Sequence, residues 1–227
     1  MKIIVNKNIP QHAINKLTEY GKVHLFETKG IVNKEISCHA DIFMCKIDDK
    51  LVVAPNTPKD TMLFLQNEEN FCLGEKNVSN LKNNINFYNA VVTSNYLIHK
   101  RNFTDSKILE YCFDKDFINV KQAFTRCSLI ELNDNYFITS DNGIANTLKQ
   151  KKLDVLYVSQ QDIILPGYNT GCFGGCCGVF ENKFFVIGNL EYHKDGNIIS
   201  EYIKRHNMEL IQLYDGPLFD AGSIFFI

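Results

Sequence analysis

An α/β chain of five repeated units, each reading strand, strand, helix, strand, is the fold class that this 227-residue sequence predicts. Three observations carry the expectation. Amphipathic helical segments recur five times, each lies between two short apolar strand-like runs, and the apolar tail SIFFI (223–227) has no evident neighbour except the opening run KIIVN (2–6). Recurrence of one supersecondary unit marks a repeat architecture, in which each unit buries its apolar face against the next.

The helices are IPQHAINKLTEYG (9–21), TPKDTMLFLQNEE (57–69), FTDSKILEYCFDK (103–115), SDNGIANTLKQKK (140–152) and KDGNIISEYIKRH (194–206). Each opens on Pro, Asp, Thr, Ser or Lys-Asp-Gly and then spaces apolar residues three and four apart, which places them on one helical face. A strand follows each: VHLFE (23–27), FCLGE (71–75), FINVK (117–121), VLYVS (155–159) and LIQLY (210–214). Another precedes each: KIIVN (2–6), KLVVAP (50–55), NYLIHK (95–100), NYFITS (135–140) and KFFVIG (183–188).

Four of these leading strands have an earlier partner across a short polar link: DIFMCKI before DDK, NAVV before TSN, CSLIEL before NDN and GVF before ENK. Asp, Asn, Ser and Lys in such links are hairpin chemistry. The first unit lacks its opening strand, and SIFFI supplies it. Closure of that kind leaves five ββαβ units in a ring without an open seam, an answer to the exposed-edge problem.

Composition narrows the partners. With 45% hydrophobic and 22% charged residues, the chain fills a core and reads as one globular domain over 1–227. The formal charge is −2, and scattered Lys and Arg form no basic stripe for a phosphate backbone, so nucleic acid is not an expected partner. No apolar run suits a signal peptide or a membrane span, which points to the cytoplasm. There the eight cysteines are expected as thiols rather than as a disulfide framework.

A ring of five ββαβ units resembles the penteins, the fold of the guanidino-group-modifying enzymes, which include arginine and agmatine deiminases, dimethylarginine hydrolase and amidinotransferases. A non-catalytic ribosome-binding translation factor shares it. The segments HADIFM, YNAVV, FTRCS, GCFGG and LFDAGSI resemble the marks of an uncharacterised bacterial family placed with that fold. Fold alone gives no function.

In such a ring the turn entering each unit's first strand points to the pseudo-fivefold axis, where the resembling enzymes line their pocket. Aligning the hairpins puts Asp41 with His39, Asn89, Cys127 with Arg126, Cys176 with Gly174 and Gly175, and Asp220 at those turns. The strand period of two predicts that His39 and Asp41 share a face and that Cys176 and Cys177 do not. The resembling enzymes use a cysteine thiolate, a histidine acid and base, and paired carboxylates around a cationic substrate. The resemblance therefore implies Cys127, His39 and Asp41 as catalytic residues, with Asn89, Arg126, Gly174, Gly175, Cys176 and Asp220 binding a small, cationic, guanidino or amino-acid-like ligand.

Two departures count against a simple transfer. HADIFM falls in the second unit, earlier than its counterpart, and the C-terminal segment FDAGSIFFI carries Phe225 and Phe226 where the enzymes place their nucleophile. Thiol chemistry must then use Cys127 or Cys176. The rival reading is a non-catalytic pentein that binds a ligand or associates with the ribosome. For NTGCFGGCCGVF (169–180), the C-x3-C-C spacing offers no pair of CxxC knuckles and no nearby histidine, so neither a metal nor another cofactor is expected. Gly174 and Gly175 are expected to take positive φ or to approach a ligand closely.

Overall fold

The computed structural model describes residues 1–66, 70–81, 84–133 and 136–227. The last three residues of the helix expected over 57–69 and the last two of the NDN link, 134–135, lie outside the described residues.

The first unit contains β1 (Lys2–Asn6), α1 (Gln11–Thr18) and β2 (Lys22–Phe26). The second contains β3 (Met44–Ile47), β4 (Lys50–Val53), α2 (Lys59–Leu65) and β5 (Phe71–Leu73). The third has β6 (Val91–Val92), β7 (Tyr96–His99), α3 (Ser106–Tyr111) and β8 (Asp116–Asn119). After the short helix α4 (Thr125–Ser128) come β9 (Leu129–Glu131), β10 (Tyr136–Thr139), α5 (Asn142–Gln150) and β11 (Asp154–Tyr157). A stray strand β12 (Ile163–Ile164) precedes β13 (Cys177–Phe180), β14 (Lys183–Val186), α6 (Gly196–Arg205) and β15 (Glu209–Gln212), and the chain ends with β16 (Leu218–Phe219) and β17 (Phe225–Phe226).

These strands form three-stranded sheets of orders β17-β1-β2, β3-β4-β5, β6-β7-β8, β9-β10-β11 and β13-β14-β15. In each, the first two strands are antiparallel and the third is parallel to the second. A tight link allows only the antiparallel pair, whereas the helical crossover returns the chain parallel. β17 lies antiparallel to β1, with Ile3 opposite Phe226 and Ile4 opposite Phe225. The opening strands touch in sequence: β3 against β6, β6 against β9, β9 against β13 and β13 against β17.

Local chemistry sets the helix starts. Asp105 caps α3 by accepting from Lys107 N at 2.9 Å, and Asp141 caps α5 by accepting from Ile144 N at 2.8 Å. The helices then bury one stripe each: Ala13 and Leu17 on α1, Ile144, Ala145 and Leu148 on α5, and Ile199, Tyr202 and Ile203 on α6. Each fully buried Leu or Ile among them contributes about 1.5–3 kcal/mol. Those stripes pack on the sheets, α1 against β2, α5 against β10 and β11, and α6 against β15.

Two elements differ from the sequence reading. The parallel pair β12 and β16, with Ile163 opposite Leu218, was not expected, because two-residue strands carry no readable alternation. The opening strands β3, β6, β9 and β17 also start later than expected, whereas β13 starts at Cys177, one residue before GVF. Asp41 sits in a 3-10 turn over Ala40–Ile42, Cys127 in α4, and Cys176 in a 3-10 turn over Gly174–Cys176. The shared-face argument from strand parity therefore does not apply to His39 and Asp41. Among the described residues, no helix is long and apolar enough to cross a membrane.

Candidate functional site

The turns that open the sheets converge. Asn89 and Cys127 stand two residues before Val91 and Leu129, the first residues of β6 and β9. Ser223 stands two residues before Phe225 in β17, and Gly175 two residues before Cys177 in β13. Compact polar turns place these groups side by side, although up to 182 residues separate the members that bond one another.

At the centre is the Asp41 carboxylate, fully buried. Its Oδ2 accepts from Cys127 Sγ at 3.0 Å and from Ser223 Oγ at 3.0 Å. Asn89 ties three segments together: its Oδ1 accepts from Arg126 N at 2.8 Å and Cys127 N at 3.2 Å, while Nδ2 donates to Asp41 O at 3.1 Å and approaches Cys127 Sγ at 3.3 Å. Each polar atom of the Asn89 amide therefore has work in organising the turns. Ser223 was missed from sequence, where SIFFI reads as strand throughout. Its position two before the strand start, shared with Asn89 and Cys127, was the available signal.

His39 joins from the cap of the second unit's 3-10 turn, its Nδ1 at 4.0 Å from Asp220 Oδ1. Asp220 is held by Cys172 N at 2.8 Å on Oδ2 and by Gly222 N at 3.1 Å on Oδ1. The second bond is the turn-forming bond of an Asp to its own backbone. Gly222 itself is required twice over. Its φ is +66°, and an added Cβ would lie 2.4 Å from His39 Cβ and 2.5 Å from His39 Cα.

Gly222→Ala is expected to destabilise the chain by more than about 2 kcal/mol, since left-handed backbone strain alone is of order 1–3 kcal/mol and His39 must also shift. Gly30→Ala is the reference, because Gly30 has φ +71° with nothing within 4 Å. Urea unfolding of both variants checks the point. Equal losses would mean that His39 does not depend on Gly222.

Electrostatics follows from burial. Burial lowers the His39 imidazole pKa, with Asp41 opposing, so the ring is held neutral. Burial raises Asp41, against the pull of His39 and the Cys127 hydrogen bond, and lifts Asp220 to about 6. Burial first, then the negative charge of Asp41 and Asp220, raises the Cys127 thiol well above its ordinary value. Both carboxylates therefore act to keep the Cys127 thiol protonated.

The remaining sequence-named residues fall elsewhere. Arg126 donates from Nη1 to Gly174 O at 2.9 Å and from Nη2 to Cys177 O at 3.2 Å, and it lines a cavity of about 280 Å³ with Lys46 and Thr93. His39 and Asp220 instead line a cleft of about 300 Å³ with Asn6, Asn8, Lys34 and Pro166. Gly174 and Gly175 do not have positive φ. They are small because protein atoms crowd them: an added Cβ would lie 2.4 Å from Arg126 O at Gly174 and 1.9 Å from Asp220 Oδ1 at Gly175. Cys176 donates to Cys172 O at 3.4 Å and Cys177 to Phe173 O at 3.2 Å, both wholly buried. Burial raises both thiols, and the cysteines of this glycine-rich stretch are free.

One ligand atom from each of His39, Asp41 and Cys127 lies within 4.8 Å of the others. A thiol, an imidazole and a carboxylate so placed can pass a proton among themselves, attack an electrophilic carbon or coordinate a cation.

An α/β chain whose ββαβ sheets bring a histidine, carboxylates and a cysteine together at their opening turns is a pentein-fold protein. A family model matches residues 4–225, and the chain belongs to that family, the family of unknown function DUF6873. The solved structures it is similar to include DDAH from Pseudomonas aeruginosa, a cysteine-to-serine mutant complexed with citrulline, at TM-score 0.53 and 6% identity over 93% of this chain and 92% of that one. Agmatine deiminase from C. jejuni is similar at TM-score 0.54 and 12% identity, over 93% and 86%. An amidinotransferase from Microseira wollei in the saxitoxin biosynthetic pathway is similar at TM-score 0.55 and 11% identity, over 93% and 87%. Likeness at these identities establishes the fold. No curated protein matches the chain by sequence.

Proposed function

We propose that this protein is a thiol-dependent hydrolase or transferase acting on a carbon–nitrogen bond of a small cationic, guanidino or amino-acid-like compound, at a pocket on the axis of a five-bladed ring. The observation that carries the reading is the hydrogen bond from the Cys127 thiol to Asp41, with His39 in the same 4.8 Å cluster. Successive contacts between opening strands and the β17–β1 pairing support a single closed ring. The similar structures named for agmatine deiminase and an amidinotransferase support the bond type.

The chemistry follows from the donor set. Cys127 Sγ attacks the amidino carbon as its proton passes to Asp41, an amine leaves with a proton from the site, and water or a second amine resolves the thioether-linked intermediate. The carboxylates of Asp41 and Asp220 suit a cationic head, whose positive charge offsets the negative potential that keeps the thiol protonated. The head enters by the cleft that His39 and Asp220 line.

The test is amine or ammonia release, and amidino transfer to added amines, from arginine, agmatine and methylated arginines. Cys127→Ser is expected to lower turnover at least about 1,000-fold, within the range for loss of a covalent nucleophile, while Cys172→Ser and Cys177→Ser retain most of it. A second reading, a non-catalytic ligand-binding ring, is favoured by one observation: buried Phe225 and Phe226 occupy the C-terminal segment where the resembling enzymes carry their nucleophile. A ligand that raises the melting temperature but is never turned over would replace the enzyme with that reading.

A further inference from the structure

We propose that His39, Asp41 and Cys127 form a binding site for a thiophilic divalent cation, with Zn2+ the ion their donors fit. No local motif announces such a site, because Asp41 and Cys127 lie 86 residues apart. The site exists only through the meeting of two opening turns.

Three features support it. The donors are one sulfur, one imidazole nitrogen and one carboxylate oxygen, a set that suits zinc and disfavours magnesium or calcium. They are also close. Cys127 Sγ and Asp41 Oδ2 are 3.0 Å apart and the trio spans no more than 4.8 Å, whereas tetrahedral zinc bonds of about 2.0–2.3 Å place ligands roughly 3.3–3.8 Å apart. Opening the Cys127–Asp41 pair by a few tenths of an ångström and closing the widest pair by about 1 Å completes the arrangement. Finally, His39 Nε2 and Asp41 Oδ1 are buried and have no hydrogen-bond partner among the described residues. A buried polar atom left in that state costs about 1–3 kcal/mol, and coordination by Nε2 removes the deficit at His39.

The surroundings fit the same role. Asp220 lies 4.0 Å from His39 Nδ1 and Asn89 Nδ2 lies 3.3 Å from Cys127 Sγ, positions from which neighbours orient a histidine ligand and steady a thiolate. Nε2 is then the ring nitrogen available to a metal. Three protein ligands leave a fourth position for water, and the cleft of about 300 Å³ that reaches His39 is the route to it. On coordination the Cys127 proton passes to solvent.

The inference uses the residues of the proposed reaction but does not rest on it. A metal-bound sulfur is not free to attack carbon, so the two uses exclude each other. Full-length protein, stripped with a chelator and free of any guanidino compound, is titrated with Co2+ and then with Zn2+. One equivalent of Co2+ is expected to produce a thiolate-to-cobalt charge-transfer band that Zn2+ displaces. Cys127→Ser should abolish the band, and His39→Ala and Asp41→Asn should each weaken Zn2+ binding at least about tenfold, since even groups that only orient a ligand cost about 10–100-fold. Cys72→Ser and Cys112→Ser should leave both unchanged. No charge-transfer band in the wild-type chain, or one that persists in Cys127→Ser, overturns the proposal. If Cys127→Ser does not fold, an unaltered band and affinity in both His39→Ala and Asp41→Asn overturn it equally. Turnover by the chelator-treated protein is measured separately, so failure of either idea is seen on its own.

Discussion

Deleting residues 223–227 is expected to abolish cooperative folding. The segment contributes Ile224, Phe225 and Phe226, all buried, and fully burying side chains of this kind stabilises by about 1.5–3 kcal/mol each. It also holds the first unit in place through Lys2 N to Ile227 O at 2.8 Å and Ile227 N to Lys2 O at 2.9 Å. Lys46 of the neighbouring sheet donates to Phe226 O at 2.7 Å, so the deletion opens a second contact. Ser223 leaves with it, which strips one donor from the buried Asp41. A domain stable by about 5–15 kcal/mol does not survive losses of that order. Circular dichroism through a thermal scan reads the result. A truncated chain that melts cooperatively within a few degrees of the full one would show that β17 does not close the first unit.

Between pH 7 and pH 4, His99 is expected to withdraw about 3 kcal/mol of stability. The ring is fully buried, with Nδ1 at 2.9 Å from Thr104 Oγ1 and Nε2 at 3.0 Å from Ala123 O. The carbonyl can only accept, so Nε2 carries the proton of a neutral ring. Burial depresses the pKa from 6.5 to about 4. A base with a depressed folded pKa binds fewer protons folded than unfolded between those values. Its stabilising effect is therefore complete above pH 6.5 and is lost as pH falls toward 4. His24 and His39, also lowered by burial, act in the same direction, while Asp220, lifted to about 6, acts in the opposite one. The whole-protein profile thus mixes cancelling effects. The clean measurement is the difference between the wild type and His99→Gln in urea unfolding at each pH, which should change by about 3 kcal/mol over the interval. A constant difference would mean that folding does not shift the pKa of His99.

The architecture was largely readable because its determinants are local. Five helical stripes, such as Ile199 with Ile203, and hairpin links such as DDK and ENK, encode hydrogen-bond patterns within a few residues of themselves. Strand limits were less readable: the 3-10 turn at Ala40–Ile42 and the helix at Thr125–Ser128 lead almost directly into the strands Met44–Ile47 and Leu129–Glu131, and a single helical turn is too short to show a period of its own. Repetition rescued much of the site. Once the units were aligned, Asn89 and Cys127 fell at equivalent turns without any knowledge of their contacts, whereas the matching place before β17 belongs to Ser223 and not to Asp220.

By itself, then, the sequence determined five ββαβ units, a C-terminal strand paired with the N-terminal one, and a short roster of polar residues at the opening turns. Each rests on periodicity or turn chemistry, which act over a handful of residues. The tertiary structure alone decided which members of that roster meet. It turned the Arg126 guanidinium onto the carbonyls of Gly174 and Cys177, away from the cleft of His39 and Asp220. It brought in Ser223 and made Gly222 indispensable beside His39. It also set the protonation of Cys127, because burial and two carboxylates act through distances between chain segments dozens to hundreds of residues apart. Coulomb energy and desolvation depend on those distances and on exclusion of water, quantities that no local pattern carries.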